Sequence, residues 1–299
     1  MIRVKVPATS ANMGPGYDCM GIALEIYNTV EAEIMPEGLV IETFGRDAGL
    51  IQNNSTNLIY KAMERVFRLA GYSPTGLKIT SYNEIPVEKG LGSSAASTAA
   101  GIMLANALAG DRLGLDEIIE LGTEIEGHPD NIVPALIGGM TLSYAQDASA
   151  VGYIKMDFPE KMRMLMMVPD FTLPTSKARE VVPKQVDIKD AVFNVSRAAL
   201  MVAALTSNRP ELLRYAVQDR LHQPYREKLI PGMEEVFAKA YNAGARGVFL
   251  SGAGSTLIAM VDANEHNFLP SLQSFLYERS LNWELKYVDV SKQGAARIQ

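Results

Sequence analysis

The stretch with the most chemical potential in the chain is "EKGLGSSAASTAAGIMLANAL", Glu88 to Leu108. Gly90 and Gly92 let the backbone turn, and let it approach a ligand where a Cβ would clash. Ser93 and Ser94 stand where a helix should begin. Consecutive N–H groups at such a terminus, helped by the helix dipole, form an anion site, and the serine hydroxyls suit phosphate or a magnesium ion. The alanines that follow permit close packing. A serine N-cap on a buried, alanine-rich helix explains the same residues with no ligand at all, and spacing leaves both readings open. The run is not a Walker A loop, because Lys89 precedes the glycines instead of following them.

Other polar clusters flank it. In "PATSANMGPGYDCMG", Asn12 and Asp18 lie across Gly14 and Gly16, in a loop rigid enough to hold an amide and a carboxylate against a ligand. Turn capping by Asn and Asp is the plainer account. In "EIEGHPDNIVPALIGGM", Glu126, His128, Asp130 and Asn131 come close together in what reads as a loop stiffened by Pro129 and Pro134. Such groups are costly to bury unless used. Glu124, one helical turn before His128, can face the same space. "SGAGST", Ser251 to Thr256, is a second glycine turn. Arg179 in "PTSKARE" and Arg226 in "QPYREKLIP" can grip a carboxylate through the two-pronged guanidinium, although a lone arginine is more often a solvated surface charge.

The elements that must position these residues follow from periodicity. Ile2, Val4 and Val6 alternate as in a strand, and "ALEIYNTVEAEIM" keeps the same rhythm. "TNLIYKAMERVFRLAGY" has helical spacing and ends at Gly71. "GLKITSYNEIP" is a strand stopped by Pro86, and "GLDEIIELGTEIEGH" is a helix. "GGMTLSY" and "KMRMLMMVPD" have strand character, the chain after Pro183 is mostly helical, and "WELKYVDVS" closes as a strand. Strands and helices are mixed without βαβα regularity, which predicts an α+β fold. Small and polar residues from Tyr144 to Ile154 suggest a boundary, giving units 1–150 and 151–299. The chain has 299 residues and a net charge of −6, which argues against nucleic-acid binding. No apolar run is long enough for a membrane span, and the N-terminus lacks a signal-peptide core. One cysteine, Cys19, excludes an internal disulfide framework, and with only three histidines a zinc site is not expected. These totals fit a cytoplasmic protein.

Taken in order, "PATSANMGPGYD", "PVEKGLGSSAAS", "EGHPDN" and "SGAGST" resemble the GHMP family of small-molecule kinases. "SANMGPGYD", "EGHPDN" and "PYREKLIP" point within it to the branch acting on L-homoserine. The resemblance reaches from the first strand to about residue 256. It implies a two-domain α+β fold, with a ribosomal protein S5 domain 2-like N-terminal domain, a ferredoxin-like C-terminal domain and the substrate between them. It implies ATP and Mg2+ as cofactors. Pro86, Val87, Glu88, Lys89, Gly90, Leu91, Gly92, Ser93, Ser94, Ala95 and Ala96 would form the phosphate loop, with Asn57 near the adenine. Ser94 and a carboxylate on the following helix would hold magnesium; Glu124 is assigned, with Glu120 as fallback. Asn12, Asp18, His128, Asn131, Thr175, Arg179 and Arg226 would line the homoserine pocket, the arginines on the carboxylate and Asp18 with Asn12 at the ammonium and hydroxyl end. Asp130, as a general base if the reaction uses one, and Arg179 are the catalytic candidates. The resemblance also implies a small-molecule substrate, no nucleic-acid or membrane partner, and the homodimer seen in relatives. A GHMP kinase acting on mevalonate or a sugar is the alternative within the family; a non-catalytic binder of the same fold lies outside it. Met13, Tyr17, Glu88 and Ser255 depart from the usual pattern, and Glu88 bears on how the loop meets a triphosphate.

Overall fold

A computed structural model describes residues 1–146 and 150–299. The first layer follows from alternation along extended chain. In β1 (Ile2–Ala11) Val4, Val6 and Ala8 enter the core. β1 pairs antiparallel with β2 (Met20–Met35), with a shift in register between Pro7 and Ala8. β3 (Gly38–Gly45) follows, then helix α1 (Leu58–Leu69) and β4 (Gly76–Asn83), which pairs with β2 and lies parallel to β3. α1 buries Ile59, Ala62, Met63, Val66 and Phe67, the three- and four-residue spacing of an amphipathic helix.

α2 (Ser93–Leu108) is apolar on all sides and accordingly buried on nearly all of them. It packs against α1, β1, α3 (Leu115–Glu126) and α4 (Pro129–Ile137). Small residues are what this crowding requires. A Cβ on Gly101 would lie 2.4 Å from the Ile59 carbonyl oxygen and 2.8 Å from the Ala62 methyl.

The segment expected as a proline-stiffened loop is the helix α4. His128 is its N-cap and Pro129 its first residue, where a missing N–H costs nothing. Pro134 lies inside and cannot donate to the Asp130 carbonyl. That carbonyl packs instead against Gly21, where a Cβ would come within 1.8 Å.

β5 (Met140–Ala145) pairs with β2 and with β6 (Val151–Met156). The expected boundary at 150 therefore shifts: the first sheet keeps residues 151–156. Residues 147–149 of the anticipated boundary segment lie outside the described residues.

Beyond it the chain builds β7 (Met162–Pro169), α5 (Thr175–Glu180), α6 (Ile188–Thr206), α7 (Leu213–Ala216), α8 (Gln223–Arg226) and α9 (Met233–Asn242). β8 (Gly247–Leu250), β9 (Leu257–Asp262), α10 (Phe268–Glu278), β10 (Trp283–Val288) and β11 (Ala296–Ile298) complete it. A four-stranded antiparallel sheet, β10-β7-β9-β8, forms the second unit. On β7, Met164, Met166 and Val168 share a core with Met201, Leu205 and Val217. Leu165 and Met167 join Val236, Phe268 and Leu272 on the other face. A strand covered on both faces reads as an unbroken apolar run, which is why "KMRMLMMVPD" shows no alternation.

β11 returns to the first sheet and pairs with β1, completing the order β11-β1-β2-β4-β3 with β5 and β6 beside β2. Two α+β units with a mixed first sheet match the expected fold class. No helix among the described residues is long and apolar enough to cross a membrane.

Gly101→Val is expected to destabilise the protein by about 2 kcal/mol or more, because the nearest atom is backbone and cannot move aside. Urea denaturation measures this; an unchanged midpoint would show that the α1–α2 contact is looser than described.

Candidate active site

One cavity of about 560 Å³ gathers residues from both units. Its floor is the segment from Pro86 to Ser94 and the start of α2. Gly92 is the N-cap of α2 at φ +69° and supplies no side-chain cap, and there is no acidic residue in the first turn. The first intrahelical bond runs from the Ala96 N–H to the Gly92 carbonyl, at 2.9 Å. The N–H groups of Ser93, Ser94 and Ala95 therefore have no acceptor within the helix, and the positive end of its dipole meets the cavity. Gly90, at φ +75°, lies so close to the second unit that a Cβ would come 2.3 Å from the Ser251 carbonyl oxygen.

The opposite wall begins at the end of β1. Asn12 is buried in the left-handed region, φ +68°, which Asn tolerates better than most residues. Its Nδ2 donates to the Gly252 carbonyl at 2.9 Å and its Oδ1 accepts from the Asp18 N–H at 3.0 Å. Asp18, half-buried, pairs with Arg179 on α5 at 2.8 and 3.4 Å. Thr175, one turn before Arg179, also lines the cavity.

Arg226 is 1% exposed and lines the same space. Its Nε donates to the Ala178 carbonyl at 3.0 Å, and its Nη1 to the Gly252 carbonyl at 2.9 Å and to His222 Nδ1 at 3.1 Å. Among the described residues no carboxylate pairs directly with this guanidinium, although the charges of Asp18 and Asp219 act on it from further off. Burial pushes its pKa down. A buried cation without a directly paired counterion is expensive, which suits the site to an anion.

At the start of α4, Asp130 is buried and hydrogen-bonds His128 Nδ1 through Oδ1. Burial alone would lower the His128 pKa, but the Asp130 hydrogen bond and charge outweigh it and raise the pKa. Asn131 accepts from the Thr9 hydroxyl at 2.7 Å. Ligand atoms of Asp18, His128 and Asp130 lie within 4.8 Å of one another, two carboxylates around one imidazole.

Several expected residues take other places. Glu124 is turned out to Arg65, 2.7 Å away, and does not line the cavity, nor does Glu120. The carboxylate that meets Ser94 is Glu126, whose Oε1 accepts from Ser94 Oγ at 3.0 Å and Thr98 Oγ1 at 2.6 Å. Two residues along a helix are about 200° apart, so Glu124 and Glu126 cannot both face α2. Asn57 lies on the cavity wall, but its amide is committed: Oδ1 caps α1 at Ile59 and Nδ2 donates to the Gln52 carbonyl. Lys89 Nζ turns to the Pro169 and Phe171 carbonyls at 2.7 and 2.5 Å, and burial lowers its pKa. Ala96 is buried in α2 behind the cavity wall. Sequence reasoning missed Thr98 and His222. The i,i+4 spacing of His222 and Arg226 in "HQPYR" was the available signal for the second.

Residues 57–139 match the family described as GHMP kinases N terminal domain, and residues 200–277 match GHMP kinases C terminal. A homoserine kinase of Caldicellulosiruptor bescii is 46% identical over 99% of this chain and 96% of its own length. The crystal structure of a homoserine kinase from Cytophaga hutchinsonii superposes with a TM-score of 0.89 at 28% identity, covering 99% of this chain and 97% of that one. A putative homoserine kinase from Listeria monocytogenes gives 0.81 at 30% identity over the whole of both chains.

The His128–Asp130 pair makes a pH prediction. NMR titration should place His128 above 6.5, and Asp130→Asn should bring it down. The fold favours protonated His128. The pair's contribution to stability is therefore full below the unfolded-state pKa and fades as pH rises through the higher folded value. The stability gap between wild type and Asp130→Asn should narrow across that rise; a gap independent of pH overturns the pairing.

Proposed function

The chain belongs to the GHMP kinase family, and on that footing we propose that it transfers the γ-phosphoryl group of ATP to the side-chain hydroxyl of L-homoserine, giving O-phospho-L-homoserine. The observation that carries the reading is Arg226, a buried guanidinium lining the cavity with only neutral hydrogen-bond partners. A substrate carboxylate supplies the missing counterion, and Arg179 stands beside it on α5. The Asp18 and Asp130 carboxylates, which close on one another across His128, take the ammonium. A mevalonate or sugar substrate offers no ammonium to these carboxylates. A non-catalytic binder would have no use for the open N-terminus of α2 facing the acceptor site.

ATP places its phosphates against the free N–H groups at Ser93 to Ala95, where the helix dipole and backbone donors bear negative charge. Magnesium fits the residues present: the Ser94 hydroxyl and the Glu126 carboxylate are hard oxygen donors next to the phosphate loop, and Thr98 holds the carboxylate in place. When bound there, Mg2+ neutralises charge on the terminal phosphates. The rest of the chemistry is positioning. Asn131, fixed by Thr9, lies between loop and acceptor, where its amide orients the hydroxyl. Asp130 Oδ1 is held by His128, leaving Oδ2 to take the hydroxyl proton.

A substrate screen that couples ADP release to a dye, with ATP, Mg2+ and homoserine, mevalonate and sugars as acceptors, tests the reading; turnover of a sister substrate and not homoserine overturns it. In the same assay Glu126→Gln should lower kcat on the order of 100-fold, with Glu124→Gln within about twofold of wild type. Arg226→Lys, which keeps charge but loses the fork, should raise KM for homoserine by about 30-fold, roughly 2 kcal/mol, with KM for ATP unchanged.

A further inference from the structure

His222 is 0% exposed and is not on the cavity wall, yet it touches both halves of the acceptor site. Its Nε2 is 2.7 Å from the Gly14 carbonyl oxygen. A carbonyl only accepts, so Nε2 carries the hydrogen. Nδ1 is then a bare lone pair, and Arg226 Nη1, which only donates, meets it at 3.1 Å. The two partners fix one neutral tautomer. Burial holds the imidazole pKa down despite the charge of Asp219 nearby. The ring stacks on Tyr17 with centroids 5.2 Å apart, and the Arg226 guanidinium lies 5.5 Å from the same Tyr17 ring. Asp219 fixes the backbone beneath, accepting from the N–H groups of Leu221, His222 and Gln223 at 3.0, 2.9 and 2.7 Å.

Building on the carboxylate role given to Arg226 above, we infer that His222 is a positioning residue that sets the spacing between the ammonium site and the carboxylate site. One imidazole joins Gly14, in the loop that carries Asp18, to Arg226 on α8. Asp18 and Arg226 are thereby held in one fixed relation across the cavity that both line. Selectivity for an α-amino acid resides in this link as well as in the residues that touch the substrate.

Two substitutions divide the link. His222→Gln places its amide N–H near Nε2, keeping the Gly14 bond and losing the acceptor for Arg226. His222→Asn places its amide oxygen near Nδ1, keeping the Arg226 contact. The expected result for His222→Gln is a KM for homoserine raised about tenfold or more, with kcat and the KM for ATP within about twofold of wild type. His222→Asn should recover most of that loss. With 3-aminopropan-1-ol, which lacks the carboxylate, His222→Gln should show no penalty relative to wild type. An unchanged homoserine KM in a wild type that turns homoserine over overturns this inference alone, as does a parallel loss in kcat and both KM values, the mark of a merely structural role. Absence of homoserine turnover in the wild type overturns the functional reading and this inference with it. A measurement on the unaltered protein stands apart from variant folding: 15N shifts of His222 should show a protonated Nε2 and a bare Nδ1 near neutral pH, and the opposite tautomer overturns the link.

Discussion

Arg226 imposes the constraint around which the cavity is built. Removing a guanidinium from water without a counterion costs several kcal/mol, reduced only as far as neutral acceptors can surround it. Those acceptors come from three places: the Ala178 carbonyl on α5, the Gly252 carbonyl in the turn between β8 and β9, and the imidazole before α8. None is near the others in sequence, so the second unit must be fully assembled before the charge is tolerated. Gly252 also binds the first unit, through its N–H to the Ala11 carbonyl and its carbonyl to the Asn12 amide. The same peptide that shelters the cation seats one unit on the other.

The segment from Pro86 to Ser94 depends on the same docking. Lys89 ties it to the second unit through the Pro169 and Phe171 carbonyls, and Ser251 donates to the Gly90 carbonyl at 2.6 Å. On the other side, a Cβ on Gly92 would fall 1.9 Å from the Thr9 hydroxyl oxygen, the donor that fixes Asn131. Loop, β1 and α4 thus share one tight contact. A shift of the loop would carry the start of α4 with it, so the two walls of the cavity hold one fixed spacing.

Much of this was legible in the sequence because glycine, proline and clustered polar residues are written locally. The glycine-serine run, the loop after β1 and the "GHPDN" cluster all reach the cavity. What was not legible depended on three-dimensional partners. Proline spacing suggested a loop at 129–134, but Pro129 suits a helix start and Gly21 makes room for the carbonyl that Pro134 leaves unbonded. Glu124 and Glu126 look equivalent in "TEIEG"; only the rotation of α3 against α2 separates them. Asn57 lines the cavity, yet its amide is taken up by the cap of α1 and the Gln52 carbonyl, a competition that composition does not show. β3 was overlooked because its pairing with β4 crosses α1, and the domain boundary was drawn too early because β6 pairs backward to β5.

The pairing of β11 with β1 has a consequence for biogenesis. Arg3, Val4 and Lys5 lie opposite Ile298, Arg297 and Ala296. During translation the outer edge of β1 stays open until residues 296–298 have been made, and an open strand edge is a template for wrong partners. The first sheet closes this edge only after every strand of the second has been made.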